Sequence, residues 1–182
     1  MKIGGIGMRI KELVQNGMGL SILIICSWMT ITMISIPFTM QTFALFLLLY
    51  VFHGKRSFFI LTTYLLLGLV GFPVFSNFQS GTVALFGPTG GYLFGFWFAT
   101  LFLWGSEQIW RKHILIFFLF SLFSLFICYF LGTLWFLYSY SEAISLSSAL
   151  NMCVLPFILP DIGKILLAGF IGKRLNKILH LR

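Results

Sequence analysis

Asp161 and Lys164 are the residues in this chain best placed to do chemistry. They lie in Leu155-Pro-Phe-Ile-Leu-Pro-Asp-Ile-Gly-Lys164, inside a run that is otherwise apolar. Ionisable residues within an apolar span cost about 2.5–3.5 kcal/mol each on insertion scales, so they usually face a cavity or a partner. On a helix the i, i+3 spacing puts both on one face. Held together, a carboxylate and an ammonium offer an acceptor and a donor without net charge. That suits a small polar solute. The same pair can instead neutralise itself and lock helix packing.

A second feature is Gly87-Pro-Thr-Gly-Gly-Tyr-Leu-Phe-Gly-Phe96. Pro88 suits the first turn of a helix. Gly87, Gly91 and Gly95 recur every four residues, a spacing that allows close helix contact. The same geometry leaves backbone N–H groups near Thr89, Gly90 and Gly91 at the positive end of a helix, where an anionic group is stabilised. The segment before it carries Asn77 and Gln79 as hydrogen-bonding groups, with Phe75 and Phe78 as apolar walls.

Other chemistry is missing. No G-x-x-x-x-G-K-[ST] phosphate cradle and no G-x-S-x-G nucleophile turn occurs. The four acidic residues form no evident pair: Glu12 and Glu107 flank apolar runs, Glu142 lies in an expected loop, and Asp161 is committed to Lys164. Cys26, Cys128 and Cys153 are scattered in apolar runs and read as small core residues. His53, His113 and His180 have no i, i+4 partner for a metal. The expectation is a protein that is not an enzyme, with no metal and no cofactor of its own.

The elements that position these residues follow from composition. Of 182 residues, 59% are hydrophobic and only 9% charged, and mean hydropathy is +1.02. That leaves too little polar surface to cover a soluble globule and points to an all-α integral membrane protein. Charge-free runs of 42 residues (13–54), 50 residues (57–106) and 29 residues (113–141) count the crossings. One crossing needs roughly 20 residues. The first two runs hold two each, the third holds one, and the segment around Asp161 holds another. Six transmembrane helices are expected, at about 18–36, 41–52, 58–71, 89–105, 114–138 and 152–175, forming a single domain over 1–182. The first apolar run is too long for the core of a signal peptide and reads as a retained helix.

Orientation follows from Lys and Arg. With six crossings, 11 of the 12 fall on one side: Lys2, Arg9, Lys11, Lys55, Arg56, Arg111, Lys112, Lys173, Arg174, Lys177 and Arg182. The positive-inside rule then puts both termini in the cytoplasm. Because these charges are short flanks of apolar spans, a nucleic-acid partner is not expected.

The Gly87–Phe96 run, preceded by Gly71-Phe-Pro-Val-Phe75 and followed by Pro160-Asp-Ile-Gly-Lys164, resembles the BioY family. Ile34-Ser-Ile-Pro37 with Gln41-Thr-Phe43 resembles that family's junction between helices 1 and 2. Its members are the biotin-specific substrate-capture (S) components of energy-coupling factor transporters. The resemblance implies a biotin-binding subunit in the cytoplasmic membrane of a prokaryote. A separate transmembrane coupling subunit and two cytoplasmic ATPases would supply the energy, with ATP bound only on those partners. By the resemblance Asp161, Lys164 and Asn77 belong to the site, Asp161 and Asn77 sharing the ureido hydrogen bonds and Lys164 ordering Asp161 and adding positive potential. Biotin's chemistry then suits Tyr92 and Phe75 as walls and the helix start at Thr89, Gly90 and Gly91 for the carboxylate. The family's Ala-rich docking face on helix 1 is replaced by Ser21, Cys26, Ser27, Thr30 and Ser35, with Ser27 and Thr30 expected at the coupling-subunit contact. A carrier of another vitamin or small solute, or an intramembrane enzyme using Asp161, is the alternative.

Overall fold

The computed structural model describes residues 10–32, 37–139 and 144–179. Expectations on Ile34 and Ser35, on Glu142, and on Lys2, Arg9, His180 and Arg182 lie outside these residues. The order is α1 Ile10–Trp28, β1 Thr30–Thr32, β2 Pro37–Thr39, α2 Gln41–Val70, a 3-10 turn Ser76–Phe78, α3 Gly81–Phe86, α4 Gly90–Gly105, α5 Glu107–Trp110, α6 Ile114–Ser139, α7 Leu146–Cys153 and α8 Leu155–Leu179. Among the described residues, three helical stretches reach the length and apolarity of a membrane crossing, Gln41–Val70, Ile114–Ser139 and Leu146–Ile178, the first only when its two arms are counted together across His53.

The first helix differs from expectation. It starts eight residues earlier, at Ile10, and stops at Trp28. The chain then forms an antiparallel hairpin pairing Thr30 with Thr39 and Thr32 with Pro37. Thr30, Ile31 and Thr32 are all β-branched and stiff at χ1, which favours extended backbone. Pro37 opens its strand, where the missing N–H does least harm. An apolar run alone does not distinguish these states.

The expected loop between the second and third helices reduces to one residue. His53 has φ 68° and ψ 164°, a region that strongly favours glycine. The chain reverses there, because Gln41 Nε2 donates to the Tyr64 hydroxyl at 3.2 Å. A continuous helix would separate those two residues by about 34 Å. Both arms of α2 pack on α1, where Leu48, Phe52 and Ile60 surround Gly19. Beside the break, Gly54 lies so close to Trp104 that an added Cβ would stand 2.5 Å from the Trp104 Cα. The second arm ends at Gly71, whose φ of 113° is a left-handed cap.

The remaining helices close the bundle. α4 packs on α6, α2 on α8 and on α4. Gly91 abuts Trp135 and Gly95 abuts the Cys128 backbone, so the glycine ridge sets the α4–α6 approach. The expected loop before the last helix holds α7, which Ser145 caps by accepting from the Ser148 N–H at 3.2 Å. α8 therefore begins at Leu155 and contains Pro160, which removes one backbone bond immediately before Asp161.

Two ends result. At one, Arg56 binds Glu12 and Gln15, Arg111 meets His53, and Asn176 binds the Tyr50 carbonyl. At the other, Trp28 donates to the Pro73 carbonyl, Trp135 to the Gly87 carbonyl, and Lys164 to the Thr39 carbonyl.

Candidate functional site: a buried ion pair in an apolar cavity

A cavity of about 70 Å³ opens at the hairpin end. Its wall draws on the hairpin and the start of α2 (Pro37, Thr39, Gln41, Thr42), the 71–90 segment (Phe75, Ser76, Gln79, Ala84, Thr89) and α4 (Tyr92, Leu93, Phe96). Cys128 and Tyr129 of α6, Cys153, and Phe157, Asp161 and Lys164 of α8 complete it.

Asp161 and Lys164 are 5% and 6% exposed. One turn of α8 brings them together, with Lys164 Nζ 2.8 Å from Asp161 Oδ1. Lys164 also donates to the Thr39 carbonyl at 2.7 Å and stands 3.7 Å above the centroid of the Phe38 ring. The Tyr129 hydroxyl donates to Asp161 Oδ2 at 2.7 Å. Among the described residues each carboxylate oxygen thus has one hydrogen-bond partner, leaving a further lone-pair site. Buried charges persist only when they are paired and hydrogen-bonded in this way.

The aromatic wall is held from behind. Phe75, 2% exposed, packs edge-on against Tyr64 with centroids 5.3 Å apart. The Tyr64 hydroxyl shares a 2.8 Å hydrogen bond with Ser27 and accepts from Gln41. Tyr92 reaches Thr133 at 3.4 Å. A ligand with polar edges and an apolar body fits this lining, which sets the Asp161–Lys164 pair among aromatic rings.

The structure brings together Asp161, Lys164, Tyr92, Phe75 and Thr89 from the expected set. Asn77 sits beside the wall, between Ser76 and Gln79, with φ 55°. Gly90 and Gly91 are packing residues, pressed against the Leu85 carbonyl and Trp135. Two N–H groups of that helix start are already used, Gly90 to the Gly87 carbonyl and Tyr92 to the Thr89 carbonyl. Ser27 is fully buried against Tyr64, so it presents no surface to another subunit. Thr30 is half-buried and donates to the Ser27 carbonyl at 2.6 Å.

Sequence reasoning missed Tyr129 and left Gln41 without a role. Tyr129 is a phenol near the middle of the 29-residue charge-free run, and that isolation was its available signal. Gln41 stands at the start of a long apolar helix, where an amide needs a reason to be buried.

The BioY family model matches residues 1–181. A biotin transporter BioY of Thermotoga maritima is 33% identical over 172 residues, covering 92% of this chain and 97% of that protein. The chain belongs to the BioY family. A second BioY relative, biotin transporter BioY2 of Lactococcus lactis subsp. cremoris, is 34% identical, covering 94% of this chain and 93% of that protein. The fold is also that of a crystallised S component for biotin from an ECF-type ABC transporter. The two share a TM-score of 0.77 and 24% identity, over 95% of this chain and 96% of that one.

Proposed function

We propose that this BioY-family chain is the biotin-binding membrane subunit of a vitamin uptake system, energised by a separate transmembrane coupling subunit and two cytoplasmic ATPases. The observation that carries the reading is the buried Asp161–Lys164–Tyr129 constellation in a cavity otherwise walled by rings, in a chain whose relatives are named biotin transporters. Biotin's ureido ring has two N–H donors and one carbonyl acceptor, its thiophane ring is apolar, and its tail ends in a carboxylate. Asp161 accepts a ureido N–H on its open lone pairs. Lys164 orders that carboxylate and adds positive potential. Tyr92, Phe75 and Phe96 wall the bicycle. Gln41 and Gln79, which line the cavity, join Asn77 as candidates for the other polar contacts. Thr89 remains the candidate for the tail.

At about 70 Å³ the cavity is below the roughly 300 Å³ lower range of small-molecule sites. Binding therefore displaces wall residues, and the Lys164 contact to the Thr39 carbonyl is a bond the ligand can replace. Six spans and cytoplasmic termini follow if each arm of α2 counts as one crossing and the basic His53 end faces the cytoplasm of a prokaryotic cell. Docking to the coupling subunit falls on the outward face of α1, where Gly17 and Ser21 stand exposed at small-x-x-x-small spacing.

Equilibrium binding of radiolabelled biotin to the purified protein tests this, with desthiobiotin, riboflavin and thiamine as competitors. Saturable biotin binding that riboflavin and thiamine fail to displace is expected. No saturable binding, or displacement by either unrelated vitamin, would overturn it.

A further inference from the structure

A second cavity, of about 380 Å³, lies at the basic end, lined by Tyr50, His53, Trp110, Arg111, Lys112 and Asn176. We propose that it binds the phosphodiester of an anionic lipid headgroup that also carries a hydroxyl donor. Three elements meet there: the end of the first arm of α2, the α5–α6 joint and the last turns of α8.

Its two sides have opposite needs. Arg111 and Lys112 are exposed cations; Arg111 is aimed by a 3.2 Å contact between its guanidinium and His53 Nε2, and Glu107, 3.9 Å away, offsets only part of the positive charge. Lys173, Arg174 and Lys177, exposed on α8, raise the positive potential at the same end. On the other side, Asn176 donates its Nδ2 to the Tyr50 carbonyl at 3.1 Å. A carbonyl partner fixes the amide orientation, so Oδ1 is the atom left over. That oxygen is buried and has no hydrogen-bond partner among the described residues. A buried acceptor without a donor costs roughly 1–3 kcal/mol, so it marks a place where a donor belongs.

A simple anion would satisfy the cations and leave Asn176 unpaired. A phosphodiester with a free hydroxyl satisfies both sides once it parts the side chains closed over Asn176 Oδ1. Depth agrees: the apolar run of α6 begins at Ile114, two residues beyond Lys112, which places the cavity at the headgroup level of the basic side. Phosphatidylcholine fits poorly. Its headgroup has no O–H or N–H donor and brings a quaternary ammonium toward Arg111 and Lys112.

The test uses the purified full-length protein, delipidated in detergent and offered equimolar lipids, with retained lipid counted by native mass spectrometry. Phosphatidylglycerol should be retained over phosphatidylcholine. Phosphatidylmethanol, an anionic diester without a hydroxyl, should fall between them. Arg111→Gln with Lys112→Gln should reduce the phosphatidylglycerol preference about tenfold or more. Lys112→Gln alone should reduce it in part, which keeps the test decisive if loss of Arg111 disturbs His53. Equal retention of phosphatidylglycerol and phosphatidylcholine, or no change in Lys112→Gln, would overturn the site. Parity between phosphatidylglycerol and phosphatidylmethanol would overturn the hydroxyl requirement, and with it the role of Asn176. Displacement of phosphatidylglycerol by millimolar inorganic phosphate would assign the cavity to a soluble phosphate and overturn the lipid source. Biotin affinity is not the readout, so failure here is separate from failure of the transport reading.

Discussion

Asp161 and Glu107 are carboxylates at opposite ends of the molecule, each joining a cation three or four residues along the chain to a side chain from a distant element. Asp161, 7% exposed at its side chain, holds Lys164 and Tyr129 beside an apolar cavity. Glu107, 18% exposed, meets His53 Nδ1 at 3.2 Å and Arg111 at 3.9 Å, and its Oε2 accepts the Gly54 N–H at 3.0 Å. The first centre has spare lone pairs turned toward a cavity. The second uses one oxygen to hold the Gly54 backbone and the other to hold the His53 and Arg111 side chains. Gly54 follows the left-handed His53, and its N–H opens the second arm of α2, so Glu107 caps a helix start from 53 residues away. If Asp161 receives the ligand as proposed, one end of the bundle exchanges partners and the other keeps them.

The largest effect should come from breaking the exchanging end. Asp161→Asn keeps shape but loses charge and acceptor capacity, and should weaken biotin binding at least tenfold, about 1.4 kcal/mol. Lys164→Ala should weaken it too, and the double change should cost less than the sum if the two act as one unit. Tyr129→Phe removes one hydrogen bond to a charged acceptor and should give a smaller loss in the same direction. Affinity and thermal stability measured on the same purified variants decide the matter. A well-folded Asp161→Asn protein with wild-type affinity would reduce the pair to a packing lock.

A smaller effect on binding is expected at the keeping end. Glu107→Ala strips partners from Gly54, His53 and Arg111 at once, and should destabilise the fold by about 1–3 kcal/mol. The positive φ of His53, worth of order 1–3 kcal/mol of strain, then loses the carboxylate that holds the ring and the following N–H. Biotin affinity of the folded fraction should stay within about twofold, under 0.5 kcal/mol. A large affinity loss with unchanged melting would show that the two ends are coupled and dissolve the comparison.

How much of each end was legible differs for physical reasons. Asp161 and Lys164 stand out because charge in an apolar run is rare and costly. Tyr129, Gln41 and the Thr39 carbonyl complete the same centre but carry no charge, and a carbonyl has no sequence signature. At the other end Glu107 and His53 looked like ordinary flanking residues. Their pairing depends on a one-residue reversal at a non-glycine position, which turn propensities argue against. Gly71 and the glycine ridge of α4 were readable because glycine marks caps and close contacts. The pairing of 30–32 with 37–39 was not: Pro37 marks a helix end, but β-branched Thr and Ile continue an apolar run without announcing a strand.

The smallest effect on binding is expected on α1, between the two ends. Gly17 is exposed, and a Cβ built there meets nothing within 4 Å. Gly17→Trp adds bulk only to the outward face, so melting and biotin affinity should both stay near wild type. If that face receives the coupling subunit, energised uptake in cells carrying the whole transporter should fall sharply. Ser27→Trp is the contrasting change. It drives a large ring into the buried hydrogen bond with Tyr64, behind Phe75, and should damage folding and binding together. Normal uptake by Gly17→Trp would move docking to another surface. Loss of binding in that variant would mean that α1 is part of the ligand-holding end after all, and the division of labour drawn from Asp161 and Glu107 would then have to include it.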